Sequence, residues 1–526
     1  MTKIFPLALI AVLGVTANAV AQTTAAQCSA LTKLQVPGFA VEITKTEWIA
    51  PGAPGAAAAA APAGPGAARP ANLPPYCRID GMIDRRVGTA NRPYGIGFAL
   101  ALPQDWNGRF LFQGGGGLNG SVGNPLGATA AGDRSGLARG FAVVSTDTGH
   151  QGTGAFDGAF MQDQQAALDF AYAAIGRVAV LAKQIIAQHY GRPAEHSYFA
   201  GCSTGGREAM VMTQRYSTYF DGVIAGAPAM RTGFSNLATR SVAVALNQVA
   251  PKDGTGQPIP AQAFSDADKR LVIDGLAKAC DENDGVKDGM IFNTRACRFD
   301  PKVLACKAAK QDGCLSSEQA AAIEKAFTGP RDSRGRQVYP PFPYDTGITA
   351  TGGGIPGLLS PGPSPLGQPN RSLQQDVDAE AATQAANPQA ILSDTASWTN
   401  LNTFAGHGGK LIFFHGMSDP WFSANDTIDY YTRMGAANGG AEPVQAWSRL
   451  FLSPGMGHCS GGQSLDSFDL LTALVDWVEK GTAPEAVIAT GRAFPGRSRP
   501  LCAYPKSAYY KGSGDTQDAK NFECRP

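Results

Sequence analysis

Gly201-Cys202-Ser203-Thr204-Gly205 sets a serine between two glycines in the pattern G-x-S-x-G. The apolar run Tyr198-Phe199-Ala200 precedes it, and a helix-compatible segment, Arg207 to Arg215, follows. A strand that turns sharply into a helix lifts the serine hydroxyl above the sheet edge, and small flanking residues allow the tight backbone approach this requires. A hydroxyl is a weak nucleophile by itself; it needs a base, and the base needs an acid to orient it. Six histidines are available: His150, His189, His196, His407, His415 and His458. His189 and His196 lie too close upstream of the turn, and His415 ends an apolar run, where packing or pocket lining is the ordinary role. His458 sits in Leu452-Ser-Pro-Gly-Met-Gly-His458-Cys459, a glycine-rich loop of the kind that presents an imidazole. Asp419, in His415-Gly-Met-Ser-Asp419-Pro420, is the acid; its rival Asp426 falls inside a helix-compatible stretch.

Ser203, Asp419, His458 is the chain order of α/β-hydrolases. The developing oxyanion of such chemistry needs two amide donors. Thr204, directly after the serine, supplies one. The other is expected from Gln113-Gly-Gly-Gly-Gly117-Leu118-Asn119-Gly120, with Gly117 the chosen donor. A phosphate-binding loop is the competing reading of these glycines, but no Gly-Lys-Ser/Thr follows. His415 and Trp421, flanking Asp419, are candidates for lining a substrate pocket, with core packing the alternative for both.

These residues need a scaffold. Tyr94 to Leu102, Arg109 to Gln113 and Phe141 to Thr146 read as strands, and Gln164 to Tyr190 as a long helix with apolar residues at helical spacing. Alternation resumes at Lys410 to Phe414 (strand), Ser423 to Met434 (helix) and Ala446 to Leu452 (strand). Strands alternating with helices imply an α/β fold with a mainly parallel sheet covered on both faces. Residues 229–399 differ in texture and read as an inserted second domain between two parts of the main one, 22–228 and 400–526. Residues 50–72, rich in Ala, Pro and Gly, read as a surface loop.

The chain has 526 residues, 44% hydrophobic, with Lys+Arg 44 against Asp+Glu 43. A balance this even argues against a nucleic-acid binder or a polybasic membrane-surface protein. Met1-Thr-Lys3, the apolar run Ile4 to Val15 and the small-x-small Ala19-Val20-Ala21 read as a signal peptide over 1–21. No later stretch is expected to span a membrane. The protein is therefore expected to be exported, periplasmic or secreted.

In an oxidising compartment, 10 cysteines read as five disulfides rather than metal-thiolate sites. Cys306 and Cys314 are close in sequence, as are Cys502 and Cys524. Cys280 and Cys297 bracket an acidic loop, Cys28 and Cys77 flank the Ala/Pro/Gly segment, and Cys202 and Cys459 remain. These last two adjoin Ser203 and His458. A disulfide between them, with Cα atoms about 5.5–6 Å apart, would bring base and nucleophile together. In the acidic loop, Asp281, Asp284 and Asp288, with the carbonyls of Val286 and Met290, offer the hard oxygens that Ca²⁺ prefers. A solvated Asp/Gly turn is the alternative.

On GCSTGGREAM (201–210), DGVIAGAPA (221–229), CDENDGVKDG (280–289), HGMSDPWFS (415–423), PGMGHCSGG (454–462) and YKGSGD (510–515), the chain resembles the tannase and feruloyl esterase family of secreted α/β-hydrolases. The resemblance runs over nearly all the mature length. It implies an α/β-hydrolase fold with an inserted lid domain holding a structural Ca²⁺, and Cys202–Cys459 as an active-site disulfide. It implies hydrolysis of small aromatic-acid esters: gallates, hydroxycinnamates or, in one branch, mono(2-hydroxyethyl) terephthalate. Thr204 stands where that branch carries Glu, the lid stretch 340–399 is shorter, and Arg371 is the nearest candidate for that branch's substrate-binding lid arginine. The competing class is a non-catalytic hydrolase-like protein that binds aromatic ligands.

Overall fold

A computed structural model of the chain describes residues 24–51, 73–350, 357–360 and 370–526. The expected signal peptide and nearly all of the 50–72 segment lie outside these residues, as does most of the Gly/Pro-rich stretch 352–369.

Nine strands form the central sheet: β1 (Val41–Ile49), β2 (Tyr76–Val87), β3 (Pro93–Pro103), β4 (Arg109–Gln113), β5 (Ala142–Thr146), β6 (His196–Cys202), β7 (Gly222–Gly226), β8 (Lys410–Gly416) and β9 (Ser448–Ser453). Their spatial order is β1-β2-β3-β5-β4-β6-β7-β8-β9. From β5 to β9 neighbouring strands run parallel, whereas β1, β2 and β3 pair antiparallel, and β3 joins β5 antiparallel. The sheet is thus mixed, and the sequence reading missed β1, β2 and β7. β2 alternates buried and half-buried residues along its first part, as a strand covered on one face does. β7 is five residues, two of them glycine, which leaves only three residues with side chains to carry a strand signal.

Side chains of one strand feed two separate cores. Phe110, Phe112 and Phe199 join one apolar cluster with Leu181, Ile185 and Met210, while Leu111 and Tyr198 join the other with Leu474 and Trp477. This is the period-2 alternation of a doubly covered sheet. The helix Gln164–Tyr190 lies on the first face, and the helix Leu470–Lys480 on the second. Gln164–Tyr190 does meet the length and hydropathy of a membrane span, contrary to expectation, but 61% of its most apolar window is buried inside the protein. It is apolar because it packs on the sheet. A π-turn, Asp169–Ala173, interrupts it near its start.

Between β7 and β8 the chain leaves the sheet and builds its own apolar cluster from three helices, Thr232–Asn247, Asp266–Cys280 and Ser317–Thr328, around Val242, Leu246, Val272, Ile323 and Phe327. Reciprocal capping at Ser265/Asp268 and Ser316/Gln319 fixes where two of these begin. Two short helices, Val377–Ala386 and Pro388–Ser393, complete the segment. After β9 come a three-stranded sheet, β10 (Ser467–Phe468), β11 (Ala486–Thr490) and β12 (Ser498–Cys502), and the hairpin β13 (Ser507–Tyr510) with β14 (Phe522–Arg525).

All five disulfides are formed: Cys28–Cys77, Cys202–Cys459, Cys280–Cys297, Cys306–Cys314 and Cys502–Cys524. Four are local staples. The Cys202–Cys459 bridge spans 257 residues.

Phe199 has no exposed surface and packs against Phe112 and Phe220 at 5.0 and 5.6 Å between ring centroids. Phe199→Ala should lower the unfolding free energy by about 3–5 kcal/mol. Val87→Ala, on a side chain 67% exposed, should change it by less than about 0.5 kcal/mol. Equal costs in chemical denaturation would contradict this packing.

Candidate active site

β6 delivers its last residues into a turn that breaks ordinary backbone rules. Ser203 has φ 65° and ψ −124°, a region a non-glycine residue enters at a cost of roughly 1–3 kcal/mol. The neighbours over-determine it. The Ser203 amide donates to Gly226 O at 3.0 Å, and its carbonyl accepts from Arg207 and Ala229 at 3.0 and 3.1 Å. A Cβ on Gly201 would sit 2.3 Å from Gly205 O, and one on Gly205 would sit 2.6 Å from Gly115 O. The two flanking glycines are therefore a steric requirement of this turn. The helix Thr204–Gln214 starts directly from it.

That helix also holds the glycine loop after β4. Glu208, fully buried, accepts from the Gly115 amide at 2.9 Å and from Asn119 Nδ2 at 2.7 Å. Burial pushes its carboxyl pKa up against the pull of Arg207 and these two donors. Arg207 points the other way, donating to the carbonyls of Ala171 and Phe170 in the π-turn at 2.7 and 2.9 Å. Thr204 Oγ1 donates to Gly117 O. In the loop, the amides of Gly114, Gly115, Leu118, Asn119 and Gly120 are engaged by protein acceptors. Gly117, at φ 58°, lines the same cavity as Ser203 and Thr204. The two residues expected as oxyanion donors thus line the same cavity as the serine.

Asp419 follows β8 and is buried. Its Oδ1 accepts from the amides of Trp421 and Phe422 at 2.9 and 3.0 Å, and its Oδ2 lies 2.7 Å from His458 Nδ1. Burial alone would raise its pKa, but the imidazoles of His458 and His415 outweigh that and hold the carboxyl far below the usual range. Asp419 therefore stays ionised at neutral pH and keeps Nδ1 of His458 protonated. His458 Nε2, buried, has no partner among the described residues, so the nitrogen that would act as base is free. Cys202 and Cys459, the neighbours of Ser203 and His458, are 6.0 Å apart between Cα atoms.

His415 is not a pocket residue. It is buried under Asp419, with Nε2 2.9 Å from Phe422 O and 3.3 Å from Asp419 Oδ2, and Nδ1 2.9 Å from Thr427 Oγ1. A carbonyl only accepts, so Nε2 carries the proton and also faces the carboxylate. The sequence places His415 four residues before Asp419 but gives no sign of which way its ring turns. Trp421 does line the cavity, its Nε1 donating to Asn236 at 2.9 Å. Asp426, the rival acid, is taken by Arg231. Arg371 pairs with Asp253 at 3.1 Å, half-exposed and outside the cavity lining.

Three groups escaped sequence reasoning. Glu208 and Asn119 brace the glycine loop, and Asp345 ties the loops bearing Asp419 and His458 together. Its Oδ2 accepts from Ser418 Oγ at 2.8 Å and from the Gly455 amide at 2.5 Å. A carboxylate beside a nucleophile motif or in a Tyr-Asp-Thr-Gly turn looks like surface charge until the fold buries it.

The acidic loop lies apart, against β12 and β13. Asp281 Oδ2 accepts from the Gly289 amide at 3.0 Å, and Asp284 accepts from Val286 and Phe292 amides at 3.3 and 3.0 Å. Asp288 accepts from the Met290 amide at 3.1 Å and from the Arg499 guanidinium. Val286 and Met290 thus contribute amides to the carboxylates. Burial first, then the nearby Asp288 and Asp281, push Asp284 up to about 7 against its donors. With Asp288 drawn to Arg499, the described residues hold no group of three His, Cys, Asp or Glu side chains closed around one ion position.

The chain matches the family described as tannase and feruloyl esterase over residues 77–363 and 364–525. It belongs to that family. A mono(2-hydroxyethyl) terephthalate hydrolase from Piscinibacter sakaiensis is 38% identical over 528 residues, covering 87% of this chain and 86% of that protein. A probable feruloyl esterase B from Aspergillus clavatus is 31% identical over 557 residues, covering the whole of both. The crystal structure of feruloyl esterase B from Aspergillus oryzae superposes with a TM-score of 0.74 at 26% identity, covering 95% of this chain and 99% of that one. The fold is that of an α/β-hydrolase and the protein is a carboxylic ester hydrolase.

In this esterase the Cys202–Cys459 bridge is the covalent link between the loops bearing Ser203 and His458. The double variant Cys202→Ala/Cys459→Ala should keep its far-UV circular dichroism but lose at least about tenfold in kcat/KM on p-nitrophenyl acetate, since small displacements of a base are costly. Unchanged kcat/KM would mean that packing alone positions the loop.

Proposed function

We propose that the esterase hydrolyses esters of aromatic acids through an acyl-enzyme formed on Ser203. The observation that carries this reading is the cavity beside the serine, about 440 Å³ and walled by Phe156, Trp421 and Phe422 as well as Ser203, Thr204 and Gly117. The Trp421 ring lies 5.5 Å from Phe156 and stacks on Phe422 at 5.2 Å, an arrangement that favours a flat aromatic guest.

Ser203 Oγ attacks the ester carbonyl as His458 Nε2 takes its proton. Asp419 holds Nδ1–H and stabilises the imidazolium. The Gly117 and Thr204 amides receive the oxyanion. His458 then protonates the departing alcohol, and a water molecule, deprotonated by the same nitrogen, releases the acid. The segment between β7 and β8, 229–399, acts as a lid over the cavity, since Arg231, Asn236 and Ala390 belong to its lining. Hydroxycinnamoyl and galloyl acids are the preferred acyl groups. Terephthalate monoesters are the second reading, favoured by the relative at 38% identity. Five disulfides and the N-terminal sequence support export.

Ser203→Ala should lower kcat on methyl ferulate, methyl gallate and mono(2-hydroxyethyl) terephthalate by at least about a thousandfold with an unchanged melting temperature. Substantial residual turnover would remove Ser203 from the reaction. Wild-type turnover of p-nitrophenyl acetate alone would remove the aromatic acyl group.

We further propose that the acidic loop binds a structural Ca²⁺. Asp281 and Asp284 fit such an ion: they are buried hard-oxygen donors, and Asp281 Oδ1 has no partner among the described residues. Bound there, the ion would neutralise carboxylates that otherwise repel one another. EDTA should lower the melting temperature by several degrees and added Ca²⁺ should restore it, a response that Asp284→Asn should abolish. A melting temperature indifferent to both would refute the ion.

A further inference from the structure

Several polar side chains of the cavity lining are engaged by protein partners, and Gln389 alone among the described lining residues has a buried side-chain polar atom without one. Arg231 is held by Asp426 through two nitrogens, and Asn236 accepts from Trp421. Asn387 caps its own helix, accepting from the Gln389 and Ala390 amides at 2.8 and 3.3 Å. Asp394 accepts from the Ser397 amide at 2.9 Å. Gln389, on the helix Pro388–Ser393, differs. It lines the cavity, and its Oε1 is buried with no partner among the described residues. A buried amide oxygen left unpaired is unfavourable, and a guest bearing a hydroxyl would relieve that.

Charge narrows the guest further. From residue 337 to residue 409 the sequence contains one cation, Arg371, and it is paired with Asp253 outside the cavity lining. Arg207 spends its guanidinium on two backbone carbonyls. The lining cations Arg207 and Arg231 are both engaged and Asp394 adds a negative charge, so a second carboxylate on the acyl group finds no unpaired cation among the described lining residues.

The geometry points to Gln389 as the specificity-determining residue of the esterase: its side-chain amide receives the phenolic hydroxyl of a hydroxylated aromatic acid, and the cavity disfavours an acid carrying a second carboxylate. This rests on the aromatic-ester reading above. A phenol both donates and accepts, so it pairs with either end of the amide.

The test compares kcat/KM on methyl p-coumarate, methyl cinnamate and mono(2-hydroxyethyl) terephthalate for the wild type and Gln389→Leu. Methyl p-coumarate and methyl cinnamate differ only by the hydroxyl. The wild type should prefer methyl p-coumarate over each of the other two by about tenfold. Gln389→Leu should bring the first two esters within about twofold of each other, with methyl cinnamate turnover retained as the sign of an intact fold. If Leu prevents folding, Gln389→Ala takes its place. A preference for the hydroxyl that survives in the variant would overturn the assignment. So would a wild type indifferent to the hydroxyl, or one faster on the terephthalate monoester. A wild type that cleaves p-nitrophenyl acetate but none of the three esters fails the aromatic-ester reading itself, a different result.

Discussion

One covalent constraint organises the catalytic face. Ser203 follows β6 and His458 follows β9, three strands further across the sheet, and nothing in strand pairing dictates how the loop after β9 folds back. The bridge between Cys202 and Cys459 does. A Cα separation of 6.0 Å between the cysteines brings the loops bearing Ser203 and His458 together. Cys459 itself has φ 64°, so both the serine and the cysteine after the base occupy the left-handed region that ordinary residues avoid. Strain of that kind persists only where surrounding structure enforces it, and a covalent tether between the two strained turns supplies much of the enforcement.

Buried charge carries the rest. Glu208 and Arg207 are consecutive residues on the elbow helix, both with essentially no exposure, and they brace opposite sides: the glycine loop and the π-turn of the long helix. Burying charges is unfavourable unless each finds partners, and here every bond made by either goes to a group whose position matters. Removing Glu208 would leave the Gly115 amide and the Asn119 side chain unpaired. Asp345 works in the same way from the inserted segment, holding Ser418 and Gly455, which neighbour Asp419 and His458 in sequence. The loops bearing Asp419, His458 and the glycine run after β4 are thus each tied by at least one buried carboxyl group.

The residues proposed for the chemistry were far more legible in the sequence than the groups that support them. A nucleophile turn needs small residues at fixed offsets, and a hydrolase needs its serine, acid and base in one chain order, so Ser203, Asp419 and His458 emerge from residue type and spacing. Strands β4, β5, β6, β8 and β9 carry continuous apolar runs and are readable for the same reason. β1 and β2 are not, because a half-buried antiparallel pair looks polar in sequence. β7 is hidden by the glycines at its two ends. His415 shows the other limit. Its place four residues before Asp419 fits either a pocket wall or a buried donor, and only the direction of its ring, set by Thr427 and the Phe422 carbonyl, decides.

The residues proposed for the chemistry and the polar side chains proposed for recognition sit on different parts of the chain. Ser203, Asp419, His458 and the glycine loop rise from the sheet, where a shift of one residue in register would turn every strand inside out. Gln389, Asn236 and Arg231 come from the segment between β7 and β8, whose apolar cluster is separate from the two cores of the sheet. Substitutions in that segment can therefore change which acyl group is held without disturbing the bonds that prepare the serine. The pairing of Arg231 with Asp426 illustrates the point, since Asp426 stands on the main fold just after β8. A single exchange at Asp426 would release a guanidinium into the cavity lining while leaving Ser203, His458 and Asp419 as they are. On the reading proposed above, unpaired polar groups of the inserted segment would then tune the acyl preference that the aromatic wall of the cavity allows.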